Sequence, residues 1–109
     1  MSYNVITIHT FDKQAKRLLK KFPSLKNELS ELINSLKSNP QQGTYLGENS
    51  YKIRLSIASK GKGKSGGARV ITQLYIQETT VILLTIFDKA EQSNITDKEI
   101  QLLLKQISL

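Results

Sequence analysis

The run from Val81 to Phe87, Val-Ile-Leu-Leu-Thr-Ile-Phe, is the strongest constraint on the fold, because it is almost continuously apolar and lacks the alternation of a half-exposed strand. A strand of this kind is stable only when both of its faces are covered. The reading therefore places it in the middle of a sheet, with helices available to pack on it. Two such helices are legible upstream. Phe11, Ala15, Leu18, Leu19 and Phe22 recur at offsets of 4, 7, 8 and 11, and Leu25, Leu29, Leu32, Ile33 and Leu36 repeat the same offsets after the break at Pro23-Ser24. That spacing marks one face of a helix, with Thr10 available to cap the first helix and Pro40 ending the second. The two form an N-terminal helical hairpin.

The remaining elements follow from period and punctuation. Tyr3 to His9, with Val5, Ile6 and Ile8, reads as a first strand. After a turn-rich stretch holding Gly43 and Gly47, Tyr51, Ile53, Leu55 and Ile57 alternate with Lys52, Arg54, Ser56 and Ala58. A period of two defines a half-buried strand, with Lys52 and Arg54 on its polar face. Ala68 to Gln77 reads as the next strand and precedes the apolar run. Thr96 and Glu99 stand in capping-box spacing ahead of Ile100, Leu103, Leu104 and Ile107, which predicts a C-terminal helix. The expected fold class is α+β, in the order β-α-α-β-β-β-α around an antiparallel-rich sheet, as a single domain over residues 1–109.

Charge narrows the function. The chain carries a formal net charge of +7, so a polyanion is the first partner to consider. No acidic residue lies between Glu48 and Glu78, whereas Lys52, Arg54, Lys60, Lys62, Lys64 and Arg69 all fall in that window. An acid-free basic stretch is the footprint expected of phosphate contact; a solvated face kept soluble by lysine is the alternative reading. The absence of cysteine excludes disulfides and cysteine-based zinc sites. The N-terminus shows neither the charged segment nor the apolar run of a secretory signal, and no segment approaches the roughly 20 apolar residues of a membrane span. The expectation is a soluble cytoplasmic protein with no membrane partner.

The glycine-rich loop ends Gly63-Lys64-Ser65 like a phosphate-binding P-loop, but the first glycine of that motif would fall on Ala58, and a strand follows rather than a helix. The loop is better read as a grip: glycines admit a phosphate chain to the backbone, and Lys60, Lys62 and Lys64 supply charge-assisted hydrogen bonds to RNA. His9 is the sole histidine and reads as structural, and Asp88 and Glu91 do not make a two-metal cluster. Cofactor-free and metal-free chemistry is the simpler expectation. Cleaving RNA without metal needs a base for the 2′-hydroxyl, cationic stabilisation of the phosphorane and a proton for the leaving 5′-oxygen. Arg54 and Arg69 stay charged and suit the phosphate. A lysine can move protons where neighbouring cations such as Lys52, Arg54 and Lys60 lower its pKa. A phosphate-binding surface without catalysis fits the same residues.

Three stretches carry a family resemblance: Tyr51-Lys52-Ile53-Arg54-Leu55; Ser59-Lys60-Gly61-Lys62-Gly63-Lys64-Ser65-Gly66-Gly67-Ala68-Arg69-Val70-Ile71; and Leu83-Leu84-Thr85-Ile86-Phe87-Asp88-Lys89-Ala90-Glu91. They resemble the RelE/HigB toxins of type II toxin–antitoxin systems, and the lysine-glycine run resembles a HigB-like branch. The resemblance implies a ribosome-dependent mRNA endoribonuclease (an mRNA interferase) that works without metal, contacts rRNA, inhibits translation and is held inactive by a cognate antitoxin. It places the family's basic catalytic positions on Lys52, Arg54, Arg69 and Lys89. Ala90 stands where well-known members have a second basic residue, Phe87 where relatives often carry tyrosine, and no tyrosine follows Tyr75. These departures keep two other readings open: a non-catalytic inhibitor like the gyrase-poisoning ParE relatives, and a plain nucleic-acid-binding domain.

Overall fold

The computed structural model describes residues 2–60 and 66–107. Its elements are β1 (Asn4–Thr7), α1 (His9–Lys21), α2 (Leu25–Ser38), β2 (Thr44–Gly47), β3 (Ser50–Leu55), β4 (Ala68–Tyr75), β5 (Thr80–Asp88) and α3 (Asp97–Leu104), with a short 3-10 turn at Ala58–Lys60. The strands form one sheet in the order β1-β5-β4-β3-β2. Only the β1–β5 pair is parallel; the other pairs are antiparallel. The α+β class, the helical hairpin and the antiparallel-rich sheet are as expected from the sequence.

Two elements differ from the sequence reading. The turn-rich stretch contains an extra edge strand, β2, joined to β3 by the two-residue turn Glu48-Asn49, both at positive φ (51° and 65°). That geometry matches the twist of a hairpin, but glutamate is an unusual occupant of a left-handed position, and this hides the turn. The centre of the sheet is β4, not β5. The apolar run lies between β1 and β4 and is buried along its length, as its composition demands. β4 is buried from Ala68 to Leu74 although it includes Arg69, Thr72 and Gln73.

Cross-strand register fixes which side chains share a face. Lys52 pairs with Ile71 and Ile71 with Thr85; Arg54 pairs with Arg69 and Arg69 with Phe87. α3 and the residues after it cover part of this face: Ile100 and Gln101 of α3 line a cleft with Ser50, and Gln106 and Ile107, beyond the helix, line another with Ile6 and Ile82. The helical hairpin covers the opposite face, where Phe11, Leu18, Leu25, Leu32 and Leu36 join Tyr51, Ile53 and Val70 in one core. Burial of these stripes, at about 25 cal/mol per Å² of apolar surface, is the main term holding the layers together.

Caps complete the picture. α1 starts at His9, so His9 is an exposed helical residue rather than part of the first strand, and Ile8 occupies the cap position without a side-chain bond. Thr10 does not cap; its hydroxyl donates to Gln106 Oε1 at 2.9 Å. Thr96 and Glu99 form the reciprocal capping box at α3. Among the described residues no helix is long and apolar enough to cross a membrane.

Candidate RNA-binding face

Three adjacent strands present the site. Arg54 on β3 and Arg69 on β4 are direct register partners, and Phe87 continues the row on β5. Arg54 is exposed, whereas Arg69 is only 5% exposed. Two cations opposite one another on neighbouring strands repel. Burial holds the Arg69 guanidinium below its ordinary pKa, and the charge of Arg54 adds to the shift. Arg69 Nη1 also donates to the carbonyl of Ala68 at 3.1 Å, which steers its head along the strand. Arginine remains protonated under such a shift, so the row is a fixed concentration of positive charge.

Lys52 sits two residues from Arg54 on the same face, half-buried, with Nζ 3.5 Å from Asn94 Oδ1. Lys89 follows β5 directly. Its backbone N–H donates to Gly67 O at 3.0 Å, and its Nζ donates to Ser93 O at 2.8 Å. The segment after β5 therefore brings Lys89 and Asn94 alongside the row. Among the described residues, no carboxylate pairs with Lys52, Arg54 or Lys89.

Two glycines set the spacing of the backbone here. A Cβ on Gly67 would stand 2.1 Å from Leu55 O, and one on Gly43 would stand 2.3 Å from Lys52 O. Each glycine lets the chain lie against a carbonyl of β3, the strand that carries Lys52 and Arg54.

Lys60 departs from its expected place. It lies in the 3-10 turn with its side chain 8% exposed, its ammonium hydrogen-bonded and ion-paired to Asp88, and the Phe22 ring centroid 5.5 Å away. It therefore does not join a cluster of like charges with Lys52 and Arg54. Lys62 and Lys64 lie outside the described residues. The partner of Lys60 was missed at the sequence level. Asp88 is 1% exposed, and its Oδ1 also accepts from Ala90 N at 3.0 Å. Burial raises the Asp88 carboxyl, but the Lys60 and Ala90 hydrogen bonds, with the charges of Lys60 and Lys21, outweigh it and hold it below the usual range. Nearby, Glu91 receives Arg17 in a two-pronged contact of 2.7 and 3.2 Å and lies 3.6 Å from Lys21. The hydrogen bond from Arg17 holds the Glu91 carboxyl low. The available signal was a buried-strand terminus ending in an acid.

Among the described residues no group of three or more His, Cys, Asp or Glu side chains is placed to hold a metal ion. The arrangement has the charge and geometry to bind phosphate through Arg54 and Arg69, with Lys52 and Lys89 alongside.

The scaffold is that of the RelE toxins. A double arginine-to-alanine mutant of the E. coli toxin RelE in the free state is 15% identical, with a TM-score of 0.66 over 99% of this chain and all (100%) of that one. The RelBE2 toxin–antitoxin complex of Mycobacterium tuberculosis contains a chain 17% identical, with a TM-score of 0.59 over 83% of this chain and 94% of that chain. A metal-bound toxin from Helicobacter pylori is 22% identical, with a TM-score of 0.53 over 84% and 99% of the two chains. Residues 5–108 match the family model of the RelE toxin of the RelE/RelB toxin–antitoxin system. The chain thus belongs to the RelE toxin family of type II toxin–antitoxin systems.

Proposed function

We propose that this toxin is a ribosome-dependent mRNA endoribonuclease of the HigB-like branch, acting in the cytoplasm as one domain and restrained by a cognate antitoxin. The observation that carries the reading is the in-register pair Arg54–Arg69, one exposed and one buried, beside Lys52 and Lys89. In this reading a lysine accepts the 2′-hydroxyl proton, the 2′-oxygen bonds to the adjacent phosphorus, and the bond from phosphorus to the 5′-oxygen breaks. Arg54 and Arg69 hold the phosphorane charge. The leaving 5′-oxygen takes its proton from the other lysine, because Phe87 and Ala90 offer neither a phenol nor a base. Lys62 and Lys64 grip the flanking RNA or rRNA; Lys60, tied to Asp88, anchors the start of that loop.

The test is a translating extract. Wild-type protein gives cuts positioned by codon, and Arg69→Ala lowers the rate by about 10² to 10³, the usual effect of removing one charge-stabilising group. Intact mRNA with the wild type refutes the proposal. The side chains of Phe87 and Ala90 favour the second reading, a non-catalytic inhibitor of ParE type. Under that reading induced expression arrests DNA labelling before protein labelling.

A further inference from the structure

We propose that Asp88 is a positioning residue: paired with Lys60, it fixes the backbone from which Lys89 and Arg69 project, together with the backbone at Lys60 and Gly67. The inference rests on the reading of this face as an RNA-cleaving site, but the geometry behind it lies on the other side of the sheet. Asp88 ends β5, one residue beyond Phe87, so its side chain points away from the cationic row toward α1.

There it gathers separate parts of the chain. Oδ1 accepts the Lys60 ammonium from the 3-10 turn and the Ala90 N–H from its own turn, and Oδ2 stands 3.9 Å from Lys21 Nζ at the end of α1. The Asp88 carbonyl accepts from Glu91 N and Gln92 N, both at 3.0 Å. The phenyl ring of Phe22 lies beneath both cations, 5.3 Å from Lys21 and 5.5 Å from Lys60. The consequences reach the other face through the backbone. Asp88 pairs with Ala68, the residue before Arg69, and Lys89, the residue after Asp88, is bonded to Gly67. Lys60 and Gly67, on either side of residues 61–65, are thus both tied to the Asp88–Lys89 dipeptide, one by the ion pair and one by the backbone bond.

An ion pair with both ends buried is a weak source of stability, because the desolvation of two charges offsets most of their attraction. Its advantage is direction. A carboxylate holding an ammonium and an N–H together admits one arrangement of the three segments, whereas an apolar contact of the same volume admits several.

The experiment compares Asp88→Asn, Lys60→Met and the double variant. Each is read well below its own melting midpoint for amide exchange at Lys89, Val70 and Leu83, and for mRNA cleavage in a translating extract. Asp88→Asn alone strands the Lys60 ammonium and lowers the midpoint; the double variant removes both charges and recovers it. A positioning role predicts that the double variant still exchanges the Lys89 N–H at least about tenfold faster than wild type, with Val70 and Leu83 unchanged. It also predicts a kcat about 10²-fold lower at unchanged KM, the scale of a misplacement of about 1 Å. Wild-type Lys89 exchange and wild-type kcat in the double variant overturn the inference. Acceleration shared equally by Lys89, Val70 and Leu83 also overturns it, since that is the mark of global destabilisation. A wild type that cleaves nothing refutes the nuclease reading instead, and the exchange arm still decides the role of Asp88.

Discussion

Replacing Gly67 by alanine isolates the dependence of the cationic row on strand spacing. Gly67 has no left-handed φ to lose, so the whole effect is steric. The added Cβ would stand 2.1 Å from Leu55 O, 3.1 Å from the Leu55 carbonyl carbon and 3.2 Å from Ser56 Cα. A carbon settles against a carbonyl oxygen at about 3.3 Å, so the two segments must part by about 1 Å. No flexible side chain can absorb this, because the obstacle is backbone. The parting falls at Leu55–Ala68, the last register pair of β3 and β4 and next to Arg54–Arg69, and it pulls on the Gly67–Lys89 hydrogen bond. Losing two or three backbone hydrogen bonds of about 1 kcal/mol each gives a destabilisation of roughly 2–3 kcal/mol. For a domain of this size that is a fall of roughly 10 °C in the melting midpoint. A displacement of about 1 Å at the reacting groups lowers cleavage by about 10². Gly47→Ala is the control: it meets nothing within 4 Å but must hold φ at 97°. It loses about 1 kcal/mol to backbone strain and cleaves as wild type does. Differential scanning calorimetry and initial cleavage rates measure both effects. If Gly67→Ala melts and cleaves like the wild type, or if Gly47→Ala loses activity in parallel, the spacing argument is wrong.

Other perturbations probe the remaining layers. The Thr72 hydroxyl is fully buried and has no hydrogen-bond partner among the described residues, so Thr72→Val, which keeps the shape and removes the polar atom, raises stability by about 1 kcal/mol in urea titration. Thr96→Ala breaks the capping box of α3 and costs about 1 kcal/mol, seen as faster amide exchange through Glu99 and Ile100 ahead of any change in the sheet. Despite the burial that raises it, the Asp88 carboxyl is held below its ordinary pKa by the Lys60 and Ala90 hydrogen bonds. Its contribution is therefore complete above the unfolded-state pKa of about 3.9 and is lost as pH falls through the folded-state value. Wild type then loses stability more steeply below about pH 4 than Asp88→Asn does; parallel curves in acid titration by circular dichroism refute the assignment.

The elements that could be read from the sequence are those whose signal is local. Both hairpin helices, the α3 capping box and the doubly buried β5 follow from period and capping chemistry, each within a dozen residues. β2 escaped because its turn places Glu48 where asparagine or glycine is expected, so the local signal was misleading. For the site, alternation assigned Lys52 and Arg54 to one face but could not give the register of β3 on β4. Register is what puts Arg54 beside Arg69 and Arg69 beside Phe87, and it also buries Arg69 in the central strand.

The distribution of charge shows why the basic window could not be read as one patch. In the sequence, Lys60 belongs with its neighbours Lys62 and Lys64, and no acid lies near it. In the fold, β5 returns Asp88 to Lys60, and the turn beyond it returns Glu91 to Arg17 and Lys21. These two carboxylates partly neutralise the cations on the hairpin side of the sheet. On the other side Lys52 and Lys89 meet only uncharged groups, the Asn94 side chain and the Ser93 carbonyl, in the contacts described. Charge is thereby balanced beside Arg17, Lys21 and Lys60, whereas Lys52 and Lys89, on the face of the Arg54–Arg69 row, have no carboxylate partner among the described residues. The two acids lower the positive potential locally, beside Arg17, Lys21 and Lys60, and leave that of Lys52 and Lys89 uncancelled. Reversing one of them distinguishes this from a uniform attraction. Glu91→Lys adds charge on the hairpin side and raises overall affinity for single-stranded RNA, with a steeper salt dependence. If the proposed ribosome-dependent cleavage holds, it leaves kcat unchanged, because the added attraction competes for RNA without feeding the Arg54–Arg69 row. A kcat that rises together with affinity would show that charge anywhere on the surface serves the site equally.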